Sequence, residues 1–189
     1  MTAAEVIDFW FQPRARRLWF SREDAFDAEI RERFADLIAD ACTGRLAGWE
    51  SAADKALALV ILLDQFPRNI HRGLPAAFAA DALAREVAVR AVDRGFDLLS
   101  PWDRRFFFYM PFEHSEAIGD QERSVALFRA WVDEAPPERR AAAEDQFDYI
   151  RRHHEIIQRF GRFPHRNAIL GRPMTAEEET FLNEPRSSF

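Results

Sequence analysis

Apolar residues recur along this chain at spacings of three and four, the period that lines one face of an α-helix. Between positions 24 and 42, Phe26, Ile30, Phe34, Leu37 and Ala41 fall on one such face. Ser21 is placed to cap that helix and Gly44 to close it. Residues 52–65 are apolar nearly all round (Ala56, Leu57, Leu59, Val60, Ile61, Leu62, Leu63). Their Leu and Ala content favours a central helix, buried on most sides, over a strand. Leu83, Val87 and Ala91 stripe 81–94, which Gly95 stops, and Ser100-Pro101 opens a helix over 101–110. Val125, Phe128, Trp131 and Val132 line 120–134. The longest helix, 138–160, carries two stripes, Phe147/Ile150/His154/Ile157 and Tyr149/His153/Ile156/Phe160. Thr175-x-x-Glu178 reads as a capping box for a last short helix through Leu182. No alternating strand pattern and no Gly-rich linker interrupts this series. The reading is an all-α chain of packed helical hairpins, one domain over 1–189.

Composition narrows the class. At 189 residues and 22.0 kDa the chain suits one domain, and 48% hydrophobic with 31% charged residues is a globular balance. The longest apolar run, Ala56 to Leu63, is far short of the ~20 residues that cross a bilayer, so no membrane association is expected. The N-terminus lacks the basic start and apolar stretch of a leader. A single cysteine, Cys42, excludes an internal disulfide and a Cys-based zinc cage. Together these features point to a cytoplasmic protein. All but one of its 26 basic residues are Arg, the exception being Lys55. Six of them (Arg151, Arg152, Arg159, Arg162, Arg166, Arg172) stand in residues 151–172 against one acid, Glu155. That segment is basic on a chain of net charge −6. Such a contrast points to a local anion site rather than a nucleic-acid surface.

All five histidines lie in or beside three aromatic–proline breaks. These are Phe66-Pro67-Arg68-Asn69, Tyr109-Met110-Pro111 and Phe163-Pro164-His165-Arg166-Asn167. Proline lacks an amide donor and clashes with the preceding turn, so each break reads as a helix end with polar residues following. If the three ends meet, they form a polar pocket of Asp64, Arg68, Asn69, Tyr109, His114, Glu116, Arg162, His165, Arg166 and Asn167. Arg68, Arg162 and Arg166 would clamp an anion, Asn69 and Asn167 orient it, and Tyr109 with His114 form a wall. The alternative is structural: the same residues satisfy carbonyls at helix ends and tie neighbours together.

Sharper catalytic motifs fail on their own terms. His154-Glu155-x-x-Gln158 lacks the second His of a zinc-protease helix. His114-Ser115-Glu116 has no nucleophile-elbow glycines. Asp64, His114, Glu116 and a later His lack diagnostic metal-ligand spacing, so no metal or cofactor is assigned. Gly161-Arg162-Phe163-Pro164 lacks the Gly-Lys-Ser/Thr core of a phosphate loop. Trp19, Phe20 and Trp49 fit core anchors better than base-stacking platforms, and the acidic chain disfavours nucleic acid.

Longer motifs carry a resemblance. They are Val6-Ile7-Asp8-Phe9-Trp10-Phe11, Leu62-Leu63-Asp64-Gln65-Phe66-Pro67-Arg68-Asn69, Ala77-Phe78-Ala79-Ala80-Asp81, Tyr109-Met110-Pro111-Phe112-Glu113-His114-Ser115-Glu116, Asp120-Gln121, and Arg159 through Asn167 followed by Leu170-Gly171-Arg172. The chain resembles, over nearly its full length, a widespread and mainly bacterial family of unknown function. It departs at Phe112-Glu113, where smaller apolar residues or Met are expected. The resemblance implies a tetratricopeptide-like α-α superhelix with a concave face. It supplies no reaction, cofactor or catalytic residue, and fold alone does not assign one.

Three functional readings follow. The first is a helical binding domain whose Arg/His/Asn pocket takes a small anionic ligand or an acidic peptide segment. The second is an acid–base or hydrolytic enzyme using His114 or His165 with Asp64 or Glu116. The third is a structural polar network in a protein-interaction scaffold.

Overall fold

The periodic segments become helices in the computed structural model, which describes residues 1–187; among these no strand forms. The helices are α1 (Ala3–Phe11), α2 (Pro13–Arg16), α3 (Asp24–Cys42), α4 (Ala53–Val60), α5 (Phe66–Ile70), α6 (Asp81–Asp93), α7 (Trp102–Glu113), α8 (Ile118–Asp133), α9 (Arg140–Phe160) and α10 (Ala176–Leu182). Short 3₁₀ turns precede α4, α6 and α9 and follow Phe163. The chain therefore belongs to the all-α class. Its backbone divides into two compact units, one of Met1–Arg72 with Ala76–Pro111, the other of Gly73–Pro75 with Phe112–Phe189.

In the first unit α4 packs on α1 and α6, while α3 packs on α5 and the turn before it. Its core is aromatic. Phe66 lies 4.9 Å from Phe34 and 5.5 Å from Trp10, and Phe9 stacks on Phe26 at 5.6 Å. Offset and edge-on ring pairs of this kind add to plain area burial. In the second unit α8 packs along α9, and α10 meets the turn at Pro164–Arg166. Ile156, Ile157 and Phe163 form a core there, with Phe160 and Phe181 against it.

Two proline breaks differ from the expectation that a helix ends at each. The run from α4 continues through a π turn, Ile61–Gln65, directly into α5. Phe66 donates to the Ile61 carbonyl, five residues back. This widened turn places Pro67 in the first turn of α5, where no amide donor is required. Pro111 lies inside α7, which runs on to Glu113. The carbonyls beyond it are taken by the Gln121 amide, which donates to Glu113 O at 2.5 Å and Ser115 O at 2.7 Å. The third break is a true end: Gly161, at φ +67°, closes α9 in the left-handed region.

One expected cap is also different. Ser21 does not cap α3, whose N-cap is Glu23; the Ser21 carbonyl instead accepts from Arg72 at 3.0 Å. Ser100 turns its hydroxyl back to the Phe96 carbonyl at 3.1 Å. Thr175 and Glu178 do form the capping box of α10.

Candidate functional site

The ten candidate residues divide between the units, four in the first and six in the second. In the first, Asp64 and Arg68 lie together at 3.4 Å, while Asn69 and Tyr109 each go to an acid of their own. Asp64 is fully buried on the π turn and accepts from Gln65 Nε2 at 2.5 Å. Arg68, one turn on, donates to the Asp64 carbonyl at 2.8 Å and forks onto Asp81 at 2.8 and 2.9 Å. Asn69 donates to Asp27 at 2.8 Å, and Arg72 pairs with the same carboxylate. The Tyr109 hydroxyl donates to buried Asp97 at 2.7 Å. These contacts tie α5 to α3 and to the start of α6, and α7 to the turn before it.

In the second unit a seventh residue, Arg172, joins two of the six, Glu116 and Asn167. Its guanidinium donates to both Glu116 oxygens (2.7 and 3.0 Å), to the Phe163 carbonyl (3.0 Å) and to Asn167 Oδ1 (2.9 Å). Glu116 also accepts from the Phe163 amide at 2.8 Å. Burial pushes the Glu116 carboxyl up, but Arg172 and the Phe163 amide outweigh it and hold the group below its ordinary value. Arg162 forks onto buried Glu178 at 2.5 and 2.7 Å. That guanidinium holds Glu178 down to about 2.

Arg166 donates to the His114 carbonyl at 3.0 Å and lies 4.4 Å over the Phe163 ring. His165 packs on the other side of the break, 5.5 Å from the same ring. Burial and then the Arg166 charge lower its pKa to about 4, so the imidazole is neutral at pH 7.

Sequence reasoning missed Arg172 as a site residue, although it counted it in the basic segment. It also missed the Glu113–His153 couple. His153 Nδ1 is 3.0 Å from the Tyr149 carbonyl and 3.3 Å from Glu113 Oε1. Both neighbours are acceptors, so Nδ1 carries the proton. The side chains are 4% and 2% exposed, and burial holds the imidazole neutral well below its ordinary pKa. The available signals were His153 on an apolar stripe and Glu113 where a smaller apolar residue was expected.

The basic segment is therefore charge-matched inside its own unit. Arg151 pairs with Glu155, Arg152 with Asp148, Arg159 with Glu177, Arg162 with Glu178 and Arg172 with Glu116. Among the described residues no group of three or more His, Cys, Asp or Glu is placed to hold a metal ion. No helix of the described residues is long and apolar enough to cross a membrane.

A family model described as "Bacterial protein of unknown function (DUF924)" matches residues 6–186. The chain belongs to the DUF924 family. The match runs through both units without interruption. A solved structure titled as a protein of unknown function, ATU0120 from Agrobacterium tumefaciens, is similar to this DUF924 chain. It is 41% identical, the match covers 96% of each chain, and the TM-score is 0.83. Comparison with functionally curated proteins found no match.

Proposed function

We propose that this DUF924 protein is a helical scaffold for protein contact, in which the polar motifs act as internal clasps rather than as a ligand clamp. The observation that carries this reading is the spending of the basic segment. Five of its six guanidinium groups stand within ion-pair reach of carboxylates, two of them, Arg162 and Arg172, as forks, and four of those acids (Asp148, Glu177, Glu178, Glu116) lie outside the segment. A guanidinium forked onto an internal carboxylate has its best donors occupied, and a ligand anion would have to displace that partner. Arg68 is committed in the same way to Asp81.

A second reading, an anion site, has one observation in its favour. The charges of Arg166, Arg172 and His114 all act to lower the pKa of His165, so positive charge is concentrated around the third break. An acidic segment or a small anion suits that field.

Thermal melting separates the two. Removing one partner of a buried, hydrogen-bonded charge pair costs about 2–5 kcal/mol, and the half-buried Arg172–Glu116 fork falls at the lower end. In a chain of this size each kcal/mol moves the midpoint by roughly 2–4 °C. The clasp reading expects Arg172→Ala to melt at least about 5 °C lower, and inorganic phosphate to leave the parent midpoint unchanged. An Arg172→Ala midpoint equal to the parent overturns it. A phosphate-induced rise that Arg166→Ala abolishes establishes the anion site instead.

A further inference from the structure

Two of the clasps close on a helix that has little else to hold it. Glu177 and Glu178, the partners of Arg159 and Arg162, both lie on α10. That helix has seven residues, well below the ~12–15 at which an isolated helix becomes even marginal in water, so its order depends on docking. Its one buried residue is Glu178, a carboxylate rather than an apolar side chain. Phe181 and Leu182 are half-buried, and Phe181 meets Phe160 with ring centres 5.0 Å apart. Phe181 stands three positions from Glu178 and four from Glu177, so acids and ring share one helix face.

The surface that α10 covers is built without it. Gly161 ends α9 in the left-handed region. The turn that follows is fixed from both sides of Phe163, whose amide donates to Glu116 at 2.8 Å and whose carbonyl accepts from Arg172 at 3.0 Å. Arg159 lies over the Phe160 ring of its own helix at 4.6 Å, a contact in which α10 takes no part. Lifting α10 about the link at 173–175 therefore leaves Arg159, Phe160 and Arg162 in place as two guanidinium groups flanking a ring. Such a face reads a helix that carries acids and an aromatic residue together, the carboxylates on the arginines and the ring on Phe160. α10 makes that set of contacts in cis: Arg159 to Glu177 at 2.9 Å, Arg162 to Glu178 at 2.5 and 2.7 Å, and Arg159 over the Phe181 ring at 5.6 Å.

Building on the protein-contact reading above, we propose that this face docks an acidic, aromatic-bearing helical segment of a partner protein, with α10 as a built-in competitor. Charge complementarity fixes the chemistry of the occupant. The pattern α10 supplies is Thr-x-Glu-Glu-x-x-Phe, an N-cap, two acids and a ring one turn on. Tethering presents α10 to the face at an effective concentration of ~mM, so a free segment gains access chiefly when α10 is loosened.

The test is the binding of a fluorescently labelled peptide of residues 173–187 to the full chain, read by anisotropy. Glu178→Gln with Phe181→Ala in the chain loosens α10 and leaves the face intact. That chain should bind the parent-sequence peptide on the order of tenfold more tightly than the parent chain does, because its open state is more populated. A peptide carrying the same two substitutions should not bind, and Arg162→Glu in the loosened chain should abolish capture. In the parent chain, which needs no variant to fold, excess peptide should speed hydrogen exchange at residues 176–182 and leave 150–157 unchanged. A loosened chain that keeps the parent's helical circular dichroism but binds no more tightly overturns the proposal, as does a substituted peptide that binds equally. So does exchange at 176–182 that excess peptide fails to move. A parent dimer in sedimentation that Phe181→Ala breaks would make a second copy's α10 the occupant and overturns it too. The melting test of Arg172→Ala involves neither the peptide nor α10, so the two readings fail separately.

Discussion

A single arginine shows how residue chemistry sets the behaviour of the second unit. Arg172 makes four hydrogen bonds to three partners from one planar group, a geometry that a lysine ammonium does not reproduce. Arg172→Lys keeps the charge but loses the fork onto Glu116. It should melt measurably below the parent, between the parent and Arg172→Ala. His165 gives the matching prediction in pH. Its pKa falls from an ordinary 6.5 to about 4 in the folded chain, so between these values the unfolded state binds the extra proton. Stability must therefore fall as pH drops from 6.5 to 4, by about 3 kcal/mol for this group. Glu178 has the opposite chemistry with the same outcome at lower pH. Its carboxyl stays ionised down to about 2 when folded against 4.5 when unfolded, and its contribution is lost across that window. Melting midpoints measured against pH should flatten between 6.5 and 4 in His165→Gln, and below 4.5 in Glu178→Gln. An unchanged slope in either variant would show that the group does not titrate as its surroundings dictate.

At the scale of elements, helix ends carry the most local information. Gly161 holds φ +67° with nothing within 4 Å of where a Cβ would stand, so a substitution there meets only backbone strain. Gly161→Ala should cost about 1–2 kcal/mol, a fall of roughly 2–8 °C. Gly48 is equally open but has no left-handed φ, so Gly48→Ala should leave the midpoint near the parent value in the same melting experiment. These positions also show what was legible in advance. The span 24–42 reads directly as α3 because amphipathic spacing and a closing glycine agree. The breaks at Pro67 and Pro111 were misread because the proline rule is local, whereas a π turn or a side chain such as Gln121 supplies the compensation from elsewhere. The same limit hid the clasps. Arg172 and Glu116 are 56 positions apart, and Phe163 and Glu116 are 47 apart, so no periodicity or spacing announces them. Their residue types were visible; their partners are a product of packing.

On the scale of the molecule, the two units differ in their internal packing. The first rests on rings: Phe9, Trp10, Phe26, Phe34 and Phe66 are buried and mutually packed. Ring packing itself carries no titrating group, and the carboxylates Asp27, Asp64, Asp81 and Asp97 stand beside it in ion pairs and hydrogen bonds. The second unit has a smaller apolar centre beside ionic clasps. Four groups there, Glu116, Glu178, His153 and His165, have lowered titration and favour the folded state more at neutral pH than in acid. Each loses part of that preference as pH falls, by the sign worked out above. The two histidines that burial holds neutral, His153 and His165, both lie in the second unit, so mild acid acts on that unit first. Hydrogen exchange read segment by segment, corrected for the intrinsic effect of pH, should show this at pH 4. Protection of α8 and α9 should drop relative to pH 7 while that of α3 and α4 holds. A uniform loss along the chain would mean that the units open as one cooperative body and that the clasps stabilise both. Loss confined to the second unit would make the clasps the acid-sensitive part of the fold and the aromatic core its stable base.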